Sequence, residues 1–466
     1  MDYRKTIDEM EKDSRNIGII DVRSERDYEA DTIPGARNCF WMDFPTEEMD
    51  ARELIGGFGY AGEPIYLVCY TGDKSDAIAE RLQSWGIEAY SLDGGYASYL
   101  RLAMKRLLAK EFPEDEGANS AEADHSSDEA ASGQGNIDQD SDGISKQDKE
   151  ESRSENADQN SASSEAFGQA GTQSKKKRKP LTFAQNAERS IQKKFRKEIW
   201  RQFTRAIREY DLIQDGDKIA VCISGGKDSM LMAKLFQELH KHGKHNFEVE
   251  YLVMNPGYND INFETVQNNA KLLNVPIKVF TSDIYDVVAG DAGYDGSGSP
   301  CYLCARMRRG HLYAEAKKLG CNKIALGHHF DDVIETSLMG MLYGAQIQTM
   351  VPKLHSTNFP GMELIRPLYY IRERDIVHWR DYNHLHFINC ACRLTESCTA
   401  LSCTGTAQGS KRGEIKRLIH SLEEKDPVIA MNIFRSMENV TLPMVLGYKD
   451  DEGKHHSFLE RYPNLR

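Results

Sequence analysis

The amino-acid sequence predicts an α/β protein in two parts: a small parallel-sheet domain and a larger, doubly wound domain. In the first part, short apolar runs at 16–22, 64–70 and 88–92 alternate with helical patterns. The same alternation returns later with the runs 217–223 and 248–254. Strands that alternate with helices indicate mainly parallel sheets with helices packed on their faces. In such sheets, ligands bind at the carboxyl ends of the strands.

Residues 113–174 separate the two parts and differ from them in composition. They contain 16 Asp and Glu residues against 3 Lys and Arg, and large apolar side chains are rare. Such a segment cannot bury enough apolar surface to offset the entropy that ordering costs. We therefore expect a small domain over residues 1–110, a disordered acidic linker over 111–174 and a larger domain over 216–466. The parts on either side of the linker should fold independently.

A basic segment over residues 175–215 leads into the larger domain. Residues 175–210 hold 13 Lys and Arg against 3 Asp and Glu, although the whole chain has a net charge of −13. Apolar side chains recur at every fourth position, at Ile191, Phe195, Ile199, Phe203 and Ile207. The pattern predicts an amphipathic helix that packs on the domain and turns its basic side toward phosphates. A solvated face, a nuclear targeting signal and a membrane-surface helix are the alternatives.

The sequence favours a cytoplasmic protein without a membrane partner. No run approaches the roughly 20 consecutive apolar residues of a membrane span, and the N-terminus lacks the apolar core of a signal peptide. The chain has 10 cysteines. In a reducing compartment, thiols remain free for metal binding or catalysis rather than forming a disulfide framework.

A glycine-rich turn joins the apolar run 217–223 to a helical pattern. Two glycines let the backbone approach an anion closely. The helix N-terminus, a lysine and serine hydroxyls supply the positive charge and the donors that a pyrophosphate group needs. The spacing is not that of the Walker motif, and an ordinary tight turn is the alternative. The turn consists of Ser224, Gly225, Gly226, Lys227, Asp228 and Ser229.

Two further groups of polar residues are candidates for metal binding. Cys301 and Cys304 are two thiolates one helical turn apart, a common half-site for zinc or an iron–sulfur cluster. Asp331 and Asp332 follow an apolar run and are candidate ligands of the Mg²⁺ that bridges nucleotide phosphates. The alternatives are a pair of buried structural cysteines and a helix N-cap, respectively.

Cys69 closes an apolar run and opens the loop 69–75, which leads into a helical pattern. Backbone amides around one sulfur at a helix N-terminus stabilise an anionic persulfide. A buried cysteine at the end of a strand is the alternative. We interpret two other cysteines, Cys222 and Cys321, as buried structural residues.

Three segments of the first part resemble the diagnostic segments of single-domain rhodaneses. The resemblance covers about residues 15–103 and implies that Cys69 carries the persulfide, while Asp21, Arg23 and Gly35 shape the fold. The three segments are residues 21–38, 69–75 and 92–100.

The glycine-rich turn resembles the PP-loop of N-type ATP pyrophosphatases, and four segments together resemble the tRNA 2-thiocytidine synthetase family. That resemblance implies that ATP, with Mg²⁺, adenylates a base carbonyl of tRNA, and that sulfur then displaces AMP. In the family, the base is the cytidine at tRNA position 32. Lys227 and Asp228 would be catalytic. The four segments are residues 210–229, 300–313, 323–336 and 363–376.

The same resemblance implies a [4Fe–4S] cluster on Cys301, Cys304 and Cys390, with Cys392 as the alternative third ligand and zinc as the alternative metal. The late pair is spaced C-x-C here, where the family has C-x-x-C. Sulfur would pass from Cys69, loaded by a cysteine desulfurase or another persulfide donor, to the cluster and then to the base. The family also suggests a homodimer.

Two rival functions fit the same motifs. The first is thiolation or amidation of another tRNA base or another substrate by the same adenylating chemistry. The second is an RNA-binding persulfide or redox sensor that uses ATP only as a switch. The intact pair Lys227 and Asp228 favours catalysis.

Overall fold

A computed structural model describes residues 3–112, 180–282, 300–387 and 411–462, apart from residues 61, 244, 258–259 and 461. Residues 113–174 of the predicted linker and the two candidates for the third cysteine ligand, Cys390 and Cys392, lie outside these residues, whereas the first linker residue, Glu111, ends a helix of the first part. The parts of the chain before and after residues 114–180 form one compact unit. Within the described ranges, no helix is long and apolar enough to cross a membrane.

The first part is built on a five-stranded sheet in which every pairing is parallel. The strand order is β1-β5-β4-β2-β3, and the central strands β2 and β4 are buried along their whole length. The strands are β1 Arg4–Lys5, β2 Gly18–Asp21, β3 Arg37–Asn38, β4 Ile65–Val68 and β5 Ala89–Leu92. The helices are α1 Ile7–Glu11, α2 Glu25–Ala30, α3 Glu48–Gly57, α4 Asp73–Ser84 and α5 Gly95–Glu111.

The second part is built on a six-stranded sheet in the order β10-β11-β9-β6-β7-β8. All pairings are parallel except that of the edge strand β10 with β11. The strands are β6 Lys218–Ile223, β7 Glu248–Asn255, β8 Ile277–Thr281, β9 Lys323–Ala325, β10 Lys353–His355 and β11 Glu363–Ile365. A separate antiparallel hairpin follows near the end, with β12 Gly447–Lys449 and β13 His455–Ser457.

Helices cover this sheet and connect its parallel strands. The first four helices are α6 Phe183–Gln192, α7 Arg201–Glu209, α8 Lys227–His242 and α9 Asp260–Leu272. The later helices are α10 Pro300–Lys318, α11 Phe330–Gly344, α12 Glu373–Tyr382, α13 Lys411–Lys425 and α14 Ile429–Ser436. The predicted fold class, α/β with a small and a larger parallel-sheet part, is confirmed.

The basic segment differs from a single regular helix, because a π-helical turn at Arg196–Trp200 lies between α6 and α7. A spacing of four residues exceeds the 3.6 residues of an α-helical turn, so the apolar stripe would rotate around a regular helix. The π turn absorbs this excess: the Trp200 N–H donates to the Phe195 carbonyl, five residues back, at 3.3 Å. As a result, Phe195, Ile199 and Phe203 are all buried, as the stripe predicted.

The main apolar core extends across both parts of the chain. It includes Tyr96 and Leu100 of α5 together with Val266 and Ala270 of α9. These two helices pack against each other. The two sheets are therefore joined by apolar packing, although the sequence predicted only that each part would fold by itself.

Candidate active site

The glycine-rich turn lies between β6 and α8, as predicted. Gly225 has a φ of +88°, a left-handed conformation that favours glycine, and Gly226 caps α8. The Ser229 hydroxyl accepts hydrogen bonds from the backbone N–H and the hydroxyl of Ser224, both at 3.2 Å, and donates to the Gly226 carbonyl at 3.0 Å. The serines thus hold the turn against the first turn of α8, where free backbone N–H groups favour anions.

A second glycine-dependent contact brings the end of β9 close to this turn. A Cβ atom placed on Gly327 would lie 3.2 Å from the Ser229 backbone nitrogen and 3.4 Å from the Asp228 carbonyl carbon. Glycine therefore allows the strand that leads to His328 and His329 to pass beside the glycine-rich turn. The sequence placed both segments at the carboxyl edge of one sheet, and the structure brings them into contact.

Lys227 occupies the centre of an ionic network at the start of α8. Its Nζ lies 3.3 Å from Asp228 Oδ1 and 3.1 Å from Glu373 Oε1. Burial lowers the pKa of Lys227, but the two carboxylates outweigh burial and raise it above its ordinary value. Among the described residues, Asp228 Oδ1 is buried and accepts no hydrogen bond, so its charge is offset chiefly by the Lys227 ammonium at 3.3 Å. A carboxylate oxygen of this kind suits a cation that arrives with a ligand.

Asp331 and Asp332 accept hydrogen bonds from backbone and side-chain groups of neighbouring residues. Asp331 accepts from Arg372 Nε at 3.0 Å and from the Glu373 backbone N–H at 2.6 Å. Asp332 accepts from the His329 backbone N–H at 3.0 Å and forms a capping box with that residue at the start of α11. The N-cap of α11 is therefore His329, and Asp332 is its capping-box partner rather than the N-cap itself.

The two histidines after β9 have opposite protonation tendencies. Burial disfavours the charged form of His329, but the carboxylates of Asp332, Asp228 and Asp331 outweigh it and raise its pKa. The pKa of His328 is lowered, chiefly by burial. One ring therefore favours a positive charge beside the carboxylates, whereas the other stays neutral.

Helix α13 supplies two cations that sequence reasoning missed. It packs against α11. There, Arg412 lies 3.4 Å from Glu335 and 3.5 Å from Asp332, while Lys416 lies 3.1 Å from Glu373. Nothing local in the sequence marks these contacts.

Arg372, Glu373 and Glu335 were missed as site residues as well. All three lie inside segments that carry the family resemblance, 323–336 and 363–376, so the signal was available. Burial raises the pKa of Glu335 to about 7. The pKa of Glu373 falls to about 2, because Lys227 and Lys416 outweigh the effect of burial.

The candidate metal ligands are only partly described. Cys301 and Cys304 lie in the first two turns of α10. Their side chains, and the whole of Cys390, are not among the parts of the chain that the structure describes. Within those residues, no group of three His, Cys, Asp or Glu side chains is arranged to hold a metal ion. Cys222 and Cys321 are buried, as predicted. Burial raises their thiol pKa values to about 12 and about 11, so both stay protonated and unreactive.

Cys69 follows β4 directly and begins the turn into α4. Its Sγ accepts hydrogen bonds from the Gly72 backbone N–H at 3.1 Å and from the Ser75 hydroxyl at 3.3 Å. Ser75 is itself positioned by Ser91 of β5, with 2.8 Å between the hydroxyl oxygens. Two donors directed at one sulfur near a helix N-terminus favour a negatively charged sulfur.

The segment 92–100 packs against the backbone of this loop. A Cβ atom on Gly95 would lie 2.4 Å from the Cys69 carbonyl oxygen, and that oxygen accepts from the Tyr96 N–H at 2.8 Å. Arg23 forms a buried ion pair with Asp21 at 2.6 Å, and its guanidinium lies 3.7 Å from the centre of the Tyr96 ring. These contacts explain why the three segments occur together.

The fold and the two loops define a PP-loop protein joined to a rhodanese-like domain. Residues 192–393 match the family model of a PP-loop domain, and residues 4–102 match that of a rhodanese-like domain.

Curated relatives narrow the class further. The chain is 33% identical over 275 residues to the tRNA-cytidine(32) 2-sulfurtransferase of Paraburkholderia xenovorans, a match that covers 58% of this chain and 77% of that one. It is 33% identical over 244 residues to the enzyme of the same name from Geobacter sulfurreducens, covering 52% of this chain and 90% of that relative. The chain belongs to the family of tRNA-cytidine(32) 2-sulfurtransferases.

A solved structure with similarity to the chain is the U34-tRNA thiolase NcsA from Methanococcus maripaludis with its [4Fe-4S] cluster. The match has 23% identity and a TM-score of 0.40, and it covers 51% of this chain and 77% of that one.

Proposed function

We propose that this protein is an ATP-dependent tRNA sulfurtransferase that replaces the C2 oxygen of cytidine 32 with sulfur carried by its own rhodanese-like domain. The observation that carries the proposal is the PP-loop with Lys227 at its helix N-terminus, in a chain that also presents a hydrogen-bonded Cys69. One loop suits pyrophosphate, and the other suits a persulfide.

In the first step, the base oxygen attacks the α-phosphorus of ATP, and pyrophosphate leaves. Ser224, Gly225, Gly226 and Ser229 would surround the departing phosphates with backbone N–H groups and hydroxyls. Lys227 would neutralise the negative charge that develops on them. Because Lys227 now contacts Glu373 at 3.1 Å, that carboxylate would hold the ammonium in place until the nucleotide arrives.

Mg²⁺ would enter with the nucleotide. Asp228, whose buried Oδ1 accepts no hydrogen bond from the described residues and lies 3.3 Å from the Lys227 ammonium, is the first candidate to contact it. Asp331 and Asp332 are the further candidates, although each already accepts hydrogen bonds from the loop that carries Arg372 or His329. When bound, the metal would offset phosphate charge.

Cys301, Cys304 and Cys390 are the proposed thiolate ligands of a [4Fe–4S] cluster, with Cys392 as the alternative third ligand and zinc as the alternative metal. The two earlier cysteines lie three residues apart at the start of α10, a spacing that suits two ligands of one metal group. A cluster with three protein ligands would offer one open iron for a sulfur atom. Iron, sulfide and zinc analysis of anaerobically purified protein tests this assignment.

The second step replaces oxygen by sulfur and has a defined electron balance. A sulfur nucleophile attacks C2 of the adenylated base, and AMP leaves with the original oxygen. The outer sulfur of a persulfide is at oxidation state zero, whereas the sulfur of a thiocarbonyl is at −2. Each turnover therefore needs two electrons, which a pair of thiols supplies by forming a disulfide or which an added dithiol supplies directly.

The basic helices before the PP-loop domain would bind the tRNA backbone. The buried stripe fixes their orientation and leaves the opposite side charged. Phosphate contacts of this kind position a nucleic acid without reading its sequence. The exposed cations are Lys193, Lys194, Arg196, Lys197, Arg201, Arg205 and Arg208.

Two experiments test the proposal. Mass spectrometry of tRNA nucleosides from a deletion strain should reveal loss of 2-thiocytidine, whereas loss of a different thionucleoside or an unchanged profile would refute the cytidine 32 assignment. With purified protein, Lys227→Ala should reduce tRNA-dependent pyrophosphate release by about 100-fold or more. Lys241→Ala, at the far end of the same helix and paired with Glu188 at 2.9 Å, is the matched control and should retain activity.

A further inference from the structure

The two halves of the chain meet at the helix that follows β7, the strand next to β6. Tyr70, the neighbour of Cys69, donates its hydroxyl hydrogen to Asn262 Oδ1 at 2.6 Å. Asn262 is the third residue of α9, which follows the carboxyl end of β7. Strand β7 pairs in parallel with β6, the strand that ends in the PP-loop. The loop that would carry the persulfide therefore contacts the ligand-binding edge of the thiolase sheet.

A second contact reaches the segment that leads to Cys390. His386 Nδ1 lies 2.9 Å from Asp31 Oδ2 of the rhodanese-like half, and the His386 ring packs edge-on against Tyr99. The His386 backbone carbonyl accepts from Asn269 of α9 at 2.8 Å, so the same helix supports both contact points.

Contacts along α5 and α9 complete the interface. Arg101 Nε lies 3.4 Å from Glu264 Oε2, and Lys271 Nζ lies 5.1 Å from the centre of the Phe112 ring. Polar and aromatic contacts between the halves therefore accompany the apolar packing of these helices.

We propose that this interface is a docking site for sulfur delivery, at which the rhodanese-like half presents the Cys69 persulfide to a cysteine thiolate of the thiolase half. The inference rests on the proposed function. Tyr70, Asp31 and Arg101 are positioning residues, because they orient the carrier without touching the reacting atoms.

The transfer of the outer sulfur from Cys69 to the acceptor cysteine needs no oxidant or reductant. The acceptor thiolate attacks the outer sulfur of the protonated Cys69 persulfide. The bond between that sulfur and Cys69 Sγ breaks, and Cys69 leaves as a thiolate with the bonding pair. A new sulfur–sulfur bond forms on the acceptor, and the proton stays on the transferred sulfur. Holding both groups in one chain replaces a bimolecular encounter by an intramolecular one.

Charge reversal across the interface tests the proposal in the full-length protein. Cys69 is loaded with [³⁵S]thiosulfate, which leaves sulfite. Single-turnover transfer of ³⁵S to tRNA is then measured with ATP, Mg²⁺ and dithiothreitol. Arg101→Glu should slow transfer by about fivefold. The double variant Arg101→Glu with Glu264→Arg should restore the rate to within about twofold, because it rebuilds an opposite-charge pair.

The same helix offers a matched control. Arg106 of α5 pairs with Asp8 and Glu11 inside its own half, at 3.2 and 2.7 Å, so Arg106→Glu should leave the transfer rate unchanged. Tyr70→Phe provides a second perturbation and should increase amide hydrogen exchange over residues 260–272. Persulfide loading of Cys69 by thiosulfate should remain normal in Arg101→Glu.

Sodium sulfide as the sulfur source distinguishes a failure of the proposed function from a failure of the docking proposal. If the wild-type protein cannot thiolate tRNA with sulfide and ATP, the proposed function is wrong and the docking proposal falls with it. If sulfide supports thiolation but Arg101→Glu transfers persulfide sulfur at the wild-type rate, or if the double variant does not recover, only the docking proposal is overturned.

Discussion

Glu335→Gln should remove a pH-dependent loss of stability that begins in the active site. Burial raises the pKa of Glu335 from its ordinary value of 4.5 to about 7, even though Arg412 lies 3.4 Å away. At about 1.36 kcal/mol for each pH unit, ionising this carboxyl in the folded protein costs about 3 kcal/mol. The side chain is only 7% exposed, so solvent screens this cost little.

The sign follows from proton linkage. Because folding raises the pKa, protonation favours the folded state, and this contribution is complete below about pH 4.5 and lost as the pH rises through about 7. Between pH 5.5 and pH 8.5, the wild-type protein should therefore lose about 2 kcal/mol relative to Glu335→Gln. Glutamine fills similar space and carries no charge at any pH.

Urea unfolding of both proteins at the two pH values measures this difference. The control is Glu209→Gln, because Arg205, at 2.8 Å, lowers the pKa of Glu209 and keeps it ionised throughout the range. The control should follow the wild-type pH dependence. If Glu335→Gln also follows it to within about 0.5 kcal/mol, Glu335 is not the buried titrating group that the structure indicates.

Three further predictions concern the two loops and the basic helices. Gly327→Ala should raise the KM for ATP by about tenfold, because its Cβ would lie 3.2 Å from the Ser229 nitrogen, whereas Gly310→Ala meets nothing within 4 Å and should leave KM unchanged in steady-state assays. Ser75→Ala removes one of the two donors to Cys69 Sγ and should slow sulfur transfer from thiosulfate to cyanide by about fivefold, with normal thermal unfolding as the control. Lys197→Glu with Arg201→Glu should weaken tRNA binding and reduce the slope of log affinity against log salt by about two, and an unchanged slope in filter binding would contradict the phosphate-facing assignment.

Local patterns predicted the parts of the fold and site that depend on neighbours in sequence. The PP-loop follows from a strand, two glycines and a helix within a dozen residues, and Gly225 has the positive φ that such a turn requires. The buried stripe of Phe195, Ile199 and Phe203 also follows from spacing. The spacing of four did not by itself indicate the π turn, because it is nearly compatible with a regular helix.

The contacts between distant segments could not be predicted in the same way. Arg412 and Lys416 reach carboxylates that lie dozens of residues earlier, and neither has a local pattern that distinguishes it from a solvated cation. The packing of α5 on α9 could not be predicted for the same reason. Both helices have apolar faces, but an apolar face does not show which helix will cover it. The roles of Cys301 and Cys304 stay predictions.

The position of helices α13 and α14 has a practical consequence for fragments of this protein. The match to the PP-loop family ends at residue 393. Beyond that boundary, Phe434 stacks on Phe330 at 4.8 Å, and Glu423 forms a two-point ion pair with Arg372. A recombinant fragment that ends at residue 393 would keep every diagnostic motif. It would expose the Phe330 ring and leave Arg372 without its partner Glu423. Truncation alleles that stop before residue 411 should therefore behave as null alleles, even though all the residues that define the family remain.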